Sequence, residues 1–127
     1  MDGGSPVILV IDDSDLAANS LVRALAIVGR RATYVTSGQA ALEFIQSYPV
    51  SLVILDWMMP GMSGLQVLQA IRAQPRFDQL GVVIFSTACD AQAFEQAKRA
   101  GANDYLLKGR PLSELLAVVE RFTGKLD

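Results

Sequence analysis

Five polar residues stand at or just after the ends of apolar runs, and their side chains could support phosphoryl chemistry. They are Asp12, Asp13, Asp56, Thr87 and Lys108. Three carboxylates that met at one point would repel one another unless a cation joined them. Magnesium takes one or two carboxylates and completes its shell with water and phosphate oxygen. Together these residue types suggest a magnesium site beside a carboxylate that could attack phosphorus.

In this interpretation Asp56 is the nucleophile, because a carboxylate can form an aspartyl phosphate. Phosphoryl transfer depends mainly on positioning and charge neutralisation, so a metal and the ammonium of Lys108 would assist it. Thr87 could donate its hydroxyl to a phosphoryl oxygen. Taken singly, each residue also has an ordinary explanation: Asp13 could cap a helix, Thr87 could end a strand and Lys108 could be a solvated charge. Convergence of the residues would therefore decide between the two interpretations.

The elements that would position these residues can be predicted from hydrophobic patterning. Apolar runs predict strands at residues 7–11, 32–35, 52–55, 82–85 and 104–107. After each strand, apolar residues at three- and four-residue spacing predict a helix. Five strand–helix alternations indicate one α/β domain, a doubly wound parallel sheet with five helices on both faces. In such sheets the binding crevice lies beyond the carboxyl ends of the strands, where the five polar residues stand.

Composition excludes several other classes of protein. The longest apolar runs are far too short to cross a bilayer, and the N-terminus lacks the pattern of a secretory signal. A single cysteine, Cys89, allows no internal disulfide, so a cytoplasmic location is expected. With 11 basic and 13 acidic residues, the chain has no clustered positive charge for nucleic acid. The lack of histidine excludes histidine-based metal sites and general bases.

Four sequence motifs, taken in order, resemble those of the receiver domain of two-component response regulators, and the resemblance runs from about residue 7 to residue 122. The motifs are Ile11-Asp12-Asp13-Ser14, Asp56-Trp57-Met58-Met59-Pro60-Gly61-Met62-Ser63-Gly64, Phe85-Ser86-Thr87-Ala88 and Gly101-Ala102-Asn103-Asp104-Tyr105-Leu106-Leu107-Lys108. The resemblance implies a flavodoxin-like sheet with strand order 2-1-3-4-5. It also divides the chain into a disordered segment at 1–6, the receiver domain at 7–122 and a tail at 123–127.

By position, the resemblance makes Asp56 the phosphoacceptor. It implies that Mg²⁺, or Mn²⁺ as a substitute, is held by Asp13 directly, by Asp12 largely through water, by Asp56 and by the backbone carbonyl of Met58. The phosphate would come from a histidine kinase or a phosphotransfer protein. The chain would be a signalling domain and not an enzyme, since it would catalyse only its own phosphorylation and dephosphorylation.

The resemblance also assigns the groups that sense the phosphate. Thr87 and Lys108 would bind the phosphoryl group, and Thr87 and Tyr105 would form the switch. The signal would reach the face formed by the fourth helix, the fifth strand and the fifth helix, which a downstream effector protein or a fused output domain would read. Phosphorylation-dependent dimerisation through this face is compatible with the resemblance, whereas direct contact with nucleic acid or a membrane is not expected.

The chain departs from the receiver pattern where Gly109 replaces the proline that usually follows the lysine. A cis bond before a non-proline residue costs about 2.5–4 kcal/mol, so a trans Lys108–Gly109 bond and a less firmly held Lys108 are expected. Met58 and Cys89 occupy positions where polar side chains in some receivers influence the hydrolytic water. Their apolar or nearly apolar character suggests the hypothesis of slow self-dephosphorylation.

Two alternatives come from other classes of protein. Gly109 would suit a pseudo-receiver that binds partners without phosphate, although each charged or hydroxyl member of the site is present. Asp13-Ser14-Asp15 imitates the nucleophile motif of haloacid-dehalogenase-type phosphatases, although Leu16-Ala17 departs from that motif. The phosphatase would use Asp13 as nucleophile, whereas the receiver would use Asp56.

Overall fold

The computed structural model describes residues 5–88 and 90–125, so the expectations for residues 1–4, Cys89 and residues 126–127 lie outside the described residues. Within them, five strands alternate with five α-helices, and a short 3₁₀ helix, Pro75–Phe77, precedes the fourth strand. The strands are β1 (Val7–Ile11), β2 (Ala32–Val35), β3 (Val50–Leu55), β4 (Gly81–Ser86) and β5 (Asp104–Leu107). The helices are α1 (Asp15–Ile27), α2 (Gly38–Ser47), α3 (Gly64–Arg72), α4 (Ala91–Arg99) and α5 (Leu112–Thr123).

The strands form one parallel sheet in the order β2-β1-β3-β4-β5, which confirms the predicted strand order. Alternation along β1 shows how the sheet is covered. Leu9 and Ile11 pack in one core with α2, α3 and α4, whereas Ile8 and Val10 pack in a second core with α1 and α5. The helices therefore cover both faces, as expected for a doubly wound fold.

The central strands are apolar at nearly all positions because both of their faces are covered. All of β1 is buried, and so are the last four residues of β3. The edge strands β2 and β5 are only partly buried, which explains why their sequences are more polar and their pattern weaker.

Short polar side chains begin four of the helices. Ser14, Ser37, Ser63 and Asp90 each accept a hydrogen bond from a backbone N–H in the first turn of the following helix. Ser63 and Gln66 form a reciprocal capping box at the start of α3. Three features differ from the predictions. β3 begins at Val50, where it pairs with Val7 of β1, and β4 runs from Gly81 to Ser86, one residue longer at each end. The 3₁₀ helix was not predicted.

Among residues 5–88 and 90–125, each helix is too short or too polar to cross a membrane. Because all five strands are parallel, their carboxyl ends lie at one edge of the sheet. The candidate residues lie at that edge.

Candidate functional site

Backbone hydrogen bonds hold two of the aspartates against the ends of neighbouring strands. The N–H of Asp12 donates to the carbonyl of Val35 over 3.2 Å, and the N–H of Asp56 donates to the carbonyl of Ile11 over 2.9 Å. These bonds continue the parallel pairing one step beyond the strands. The positions of the two side chains are therefore set by the sheet itself and not by a mobile loop.

Three carboxylates converge at this edge. Asp12, Asp13 and Asp56 each offer an oxygen, and these three oxygens lie within 4.8 Å of one another. Asp12 and Asp56 are buried, with 6% and 8% of their surface exposed, whereas Asp13 is exposed. A cluster of carboxylate oxygens that is open on one side fits the donor preference of Mg²⁺, which usually keeps some of its water.

Both oxygens of the Asp12 carboxylate are engaged. One accepts from the backbone N–H of Ser14 at 2.9 Å, and the other accepts from Nζ of Lys108 at 2.6 Å. Nζ of Lys108 also lies 3.7 Å from an oxygen of Asp56. The resemblance assigned Lys108 to the acceptor or its phosphate, but its nearer partner in this structure is Asp12.

The environment of Asp56 disfavours its charged form. Burial is the largest cause that raises the pKa of this carboxyl, and the charges of Asp12 and Asp13 raise it further. Lys108 and a hydrogen bond from the backbone of Met58 lower the pKa, but the net shift is upward. A cation at the cluster would relieve this unfavourable burial of negative charge.

Lys108 is held at both its backbone and its ammonium group. Its N–H donates to the carbonyl of Ser86 at 2.9 Å, which extends the pairing of β4 with β5. The bond to Gly109 is trans, which confirms the prediction, and Gly109 adopts a φ of +91°. The expectation that glycine would leave Lys108 loosely held is not supported by these contacts.

The two expected switch residues belong to neighbouring parts of the sheet, one just after β4 and the other on β5. Thr87 follows the end of β4 and is exposed. Tyr105 of β5 is half-buried, and its hydroxyl donates to the carbonyl of Ala88 at 2.7 Å. The centre of its ring lies 6.4 Å from that of Trp57 and 5.9 Å from that of Phe94. Tyr105 thus connects β5 to the segment between Thr87 and α4.

One contributor to the site was not identified from the sequence. A Cβ atom placed on Gly64 would lie 2.5 Å from the backbone oxygen of Asp56 and 2.7 Å from Cα of Trp57. The N–H of Gly64 also donates to the carbonyl of Trp57 at 3.0 Å. The start of α3 therefore packs directly on the backbone that carries Asp56. In the sequence, the only sign of this close packing is that a glycine, Gly64, follows Ser63 at the start of α3.

Comparisons of the sequence identify the family. The family model described as "Response regulator receiver domain" matches residues 8–120. The two-component response regulator ORR5 of Oryza sativa subsp. japonica is 36% identical over 107 residues, which cover 84% of this chain and 80% of that protein. Sensor histidine kinase GacS of Pseudomonas protegens is 37% identical over 126 residues, which cover 94% of this chain but only 13% of the kinase.

Solved structures agree with this result. The response regulator TrrA of Thermotoga maritima, in complex with Mg²⁺ and BeF, has a TM-score of 0.83 and 27% identity, covering 93% of this chain and 99% of that one. A response regulator receiver protein from Pseudomonas putida has a TM-score of 0.86 and 28% identity, covering 93% and 98%. The chain therefore belongs to the receiver domains of response regulators, which are signalling domains of two-component systems.

Proposed function

We propose that Asp56 accepts a phosphoryl group from a histidine kinase or a phosphotransfer protein. The observation that carries the proposal is the position of Asp56 at the end of β3. Its buried carboxylate lies among the carboxylates of Asp12 and Asp13 and 3.7 Å from the ammonium of Lys108. A nucleophile in these surroundings has both a cation site and a fixed positive charge beside it.

Mg²⁺ fits this donor set, with Mn²⁺ as a substitute. Asp12, Asp13 and Asp56 would hold the ion together with the backbone carbonyl of Met58. When bound, the ion supplies positive charge to the carboxylates and to the phosphoryl oxygens. The complex of TrrA with Mg²⁺ and BeF supports this assignment by similarity.

In the proposed transfer, a carboxylate oxygen of Asp56 attacks the phosphorus of a phosphohistidine. A new P–O bond forms while the P–N bond breaks, and the electron pair of that bond returns to the imidazole nitrogen, which takes up a proton. The ammonium of Lys108 and the hydroxyl of Thr87 would then bind phosphoryl oxygens. For Lys108 this requires a move away from Asp12, its nearer partner before transfer.

The proposed output is a change of the α4–β5–α5 face, reached through Thr87 and Tyr105. Three large apolar residues of the described chain are exposed on the elements of this face: Phe94, Leu107 and Leu112. An effector protein or a fused output domain would read the change, and a phosphorylation-dependent dimer could form there. Longer relatives support such fusions, since the match covers 24% of the DNA-binding transcriptional regulator NtrC of Escherichia coli and 13% of GacS. The domain itself would act in the cytoplasm without binding nucleic acid or a membrane.

Phosphotransfer to wild-type protein and to two variants tests the proposal. With Mg²⁺ and a radiolabelled phosphohistidine donor, wild type should acquire an acid-stable, base-labile label, and Asp56→Asn should acquire none. Label that persisted in Asp56→Asn but disappeared in Asp13→Asn would support the phosphatase alternative.

Fluorescence of the single tryptophan separates the receiver from a pseudo-receiver. Trp57 is buried and directly follows the acceptor. Its emission should respond to Mg²⁺ and then to beryllofluoride, a mimic of the phosphoryl group. A flat response to both, together with no label on Asp56, would support the pseudo-receiver.

A further inference from the structure

Helix α4 is held weakly along its length. Of its nine residues only Ala93 and Ala97 are buried, and the other seven are exposed. Buried apolar surface contributes roughly 25 cal/mol per Å², so two methyl side chains contribute little. By comparison, α3 buries Val67, Leu68 and Ile71. The position of α4 must therefore depend on the contacts at its two ends.

The C-terminal end of α4 is held by Arg72, the last residue of α3. Its guanidinium donates three hydrogen bonds: to the carbonyl of Gly101 at 3.1 Å, to the carbonyl of Phe77 at 2.7 Å and to the side-chain oxygen of Asn103 at 2.9 Å. Burial lowers the pKa of Arg72, so the group has lost water that these acceptors replace. One side chain thus joins α3, the 3₁₀ helix and the segment between α4 and β5.

Asn103 extends this attachment to β4. Its side-chain oxygen accepts from the N–H of Val82 at 2.8 Å, and its own N–H donates to the carbonyl of Val82 at 2.8 Å. Gly101 has a φ of +104°, and a Cβ atom there would lie 3.1 Å from Cγ and Nε of Arg72. The segment after α4 is therefore fixed by several mutually dependent contacts.

Among the described residues, which leave out Cys89, the N-terminal end of α4 makes fewer contacts that restrain it. Asp90 caps the N–H of Ala93 at 2.7 Å, a bond that ties the first turn to the segment before α4 and not to β4 or β5. The hydroxyl of Tyr105 holds the carbonyl of Ala88, and the Phe94 ring contacts the Tyr105 ring. These contacts depend on Tyr105, an expected switch residue, and they begin next to Thr87.

We propose that Arg72 is a positioning residue that fixes the C-terminal end of α4. When Asp56 is phosphorylated, α4 then rotates about Gly101, and its N-terminal end moves most. The inference rests on the proposed function, because it assumes that phosphorylation of Asp56 displaces α4. It adds the fixed point of that motion and the side chain that supplies it.

Amide hydrogen exchange followed by NMR tests the pivot in the wild-type domain. The protein is compared in Mg²⁺ alone and in Mg²⁺ with beryllofluoride. Reporters at the moving end are the amides of Ala93 and Phe94, and reporters at the fixed end are those of Ala102 and Asn103, all of them hydrogen-bonded. Beryllofluoride should change exchange at the first pair about fivefold or more and leave the second pair within about twofold.

Variants of Arg72 test whether this side chain supplies the fixed point. In Arg72→Met, which keeps most of the aliphatic stem, the beryllofluoride-dependent change should spread to Ala102 and Asn103. Arg72→Lys keeps the charge without the planar fork, so its effect should be intermediate. The matched control is Arg23→Met on α1, because Arg23 is exposed and α1 covers the face of the sheet opposite to α4. It should keep the wild-type pattern.

The outcomes separate the two proposals. Equal changes at both ends of α4 in wild type would overturn the pivot and leave the proposed function standing. A wild-type pattern in folded Arg72→Met would also overturn it. If beryllofluoride changed no amide of wild type, the proposed function would fail and the pivot with it. If Arg72→Met did not fold, Arg72→Lys would decide, since a pattern identical to wild type there contradicts the role of the fork.

Discussion

Nζ of Lys108 lies 2.6 Å from Oδ2 of Asp12, across 96 positions of sequence. Both side chains are largely buried, with 24% and 8% of their surfaces exposed. The same ammonium lies farther from Asp56, at 3.7 Å. A cation held at the carboxylate cluster would compete with this ammonium for Asp12. Metal binding and the position of Lys108 are therefore expected to be coupled.

Replacing Lys108 by Met should strengthen magnesium binding. The change removes the competing ammonium and leaves three carboxylates to be neutralised by the metal alone. The dissociation constant for Mg²⁺, measured by titration of Trp57 fluorescence, should fall about fivefold or more. Lys98→Met, which removes an exposed charge from α4, should leave it unchanged. Unchanged or weaker binding in Lys108→Met would show that the two cations do not compete.

Replacing Asp56 by Asn should raise the melting temperature by a few degrees at pH 7 without Mg²⁺. The substitution removes a buried charge whose environment raises its pKa. Thermal unfolding followed by circular dichroism measures the difference. Asp104→Asn is a suitable control, because Asp104 pairs with Arg121 at 2.7 Å and its loss should not stabilise the fold.

The difference in melting temperature between Asp56→Asn and wild type should depend on pH. Because the folded pKa of Asp56 lies above its unfolded value, the folded state binds more protons between the two pKa values. The stabilising contribution of Asp56 is therefore fully present below the unfolded pKa, about 4, and is lost as the pH rises through the folded pKa. Lowering the pH from 7 towards 4 should therefore reduce the difference in melting temperature between the variant and wild type. A difference that grew as the pH fell would contradict the raised pKa of Asp56.

Restoring the usual proline at position 109 should destabilise this chain. Gly109 has a φ of +91°, whereas proline requires a φ near about −65°. The turn after Lys108 would have to rearrange, at a cost of about 1–3 kcal/mol in urea unfolding. Gly109→Ala should cost less, because alanine can adopt a positive φ at a penalty and its Cβ would meet nothing within 4 Å. Stabilisation by proline would mean that this turn adopts the usual receiver geometry readily.

Replacing Tyr105 by Phe should loosen the start of α4. The variant keeps the ring but loses the 2.7 Å bond to the carbonyl of Ala88, at a cost of about 1 kcal/mol. Exchange of the Phe94 amide should speed up, whereas that of Ala102 should not. Tyr48→Phe, at an exposed site, should change stability by less than about 0.5 kcal/mol. Equal acceleration at both amides would mean that α4 moves as a unit.

Much of the fold and the meeting of three carboxylates at one edge could be predicted from the sequence. Central strands such as β1 are continuous apolar runs because both faces are covered, so they stand out without tertiary information. Parallel strands place their carboxyl ends at one edge, which predicted the meeting of Asp12, Asp13 and Asp56. Weaker signals, such as the start of β3 at Val50 and the 3₁₀ helix, depend on pairing and packing with distant residues.

The partners of individual side chains were decided only by the tertiary structure. Lys108 was expected at the acceptor or its phosphate, yet its short contact is with Asp12. The backbone bond from Lys108 to Ser86 fixes where this side chain begins, but not which carboxylate it meets. Arg72 ends an amphipathic helix, and its sequence position does not reveal that it bonds to Gly101 and to other loop residues. Periodicity and strand-end position depend on local sequence, so they can be read directly. Ion pairs and hydrogen bonds depend on distances between distant segments, and those distances exist only once the sheet and helices have packed.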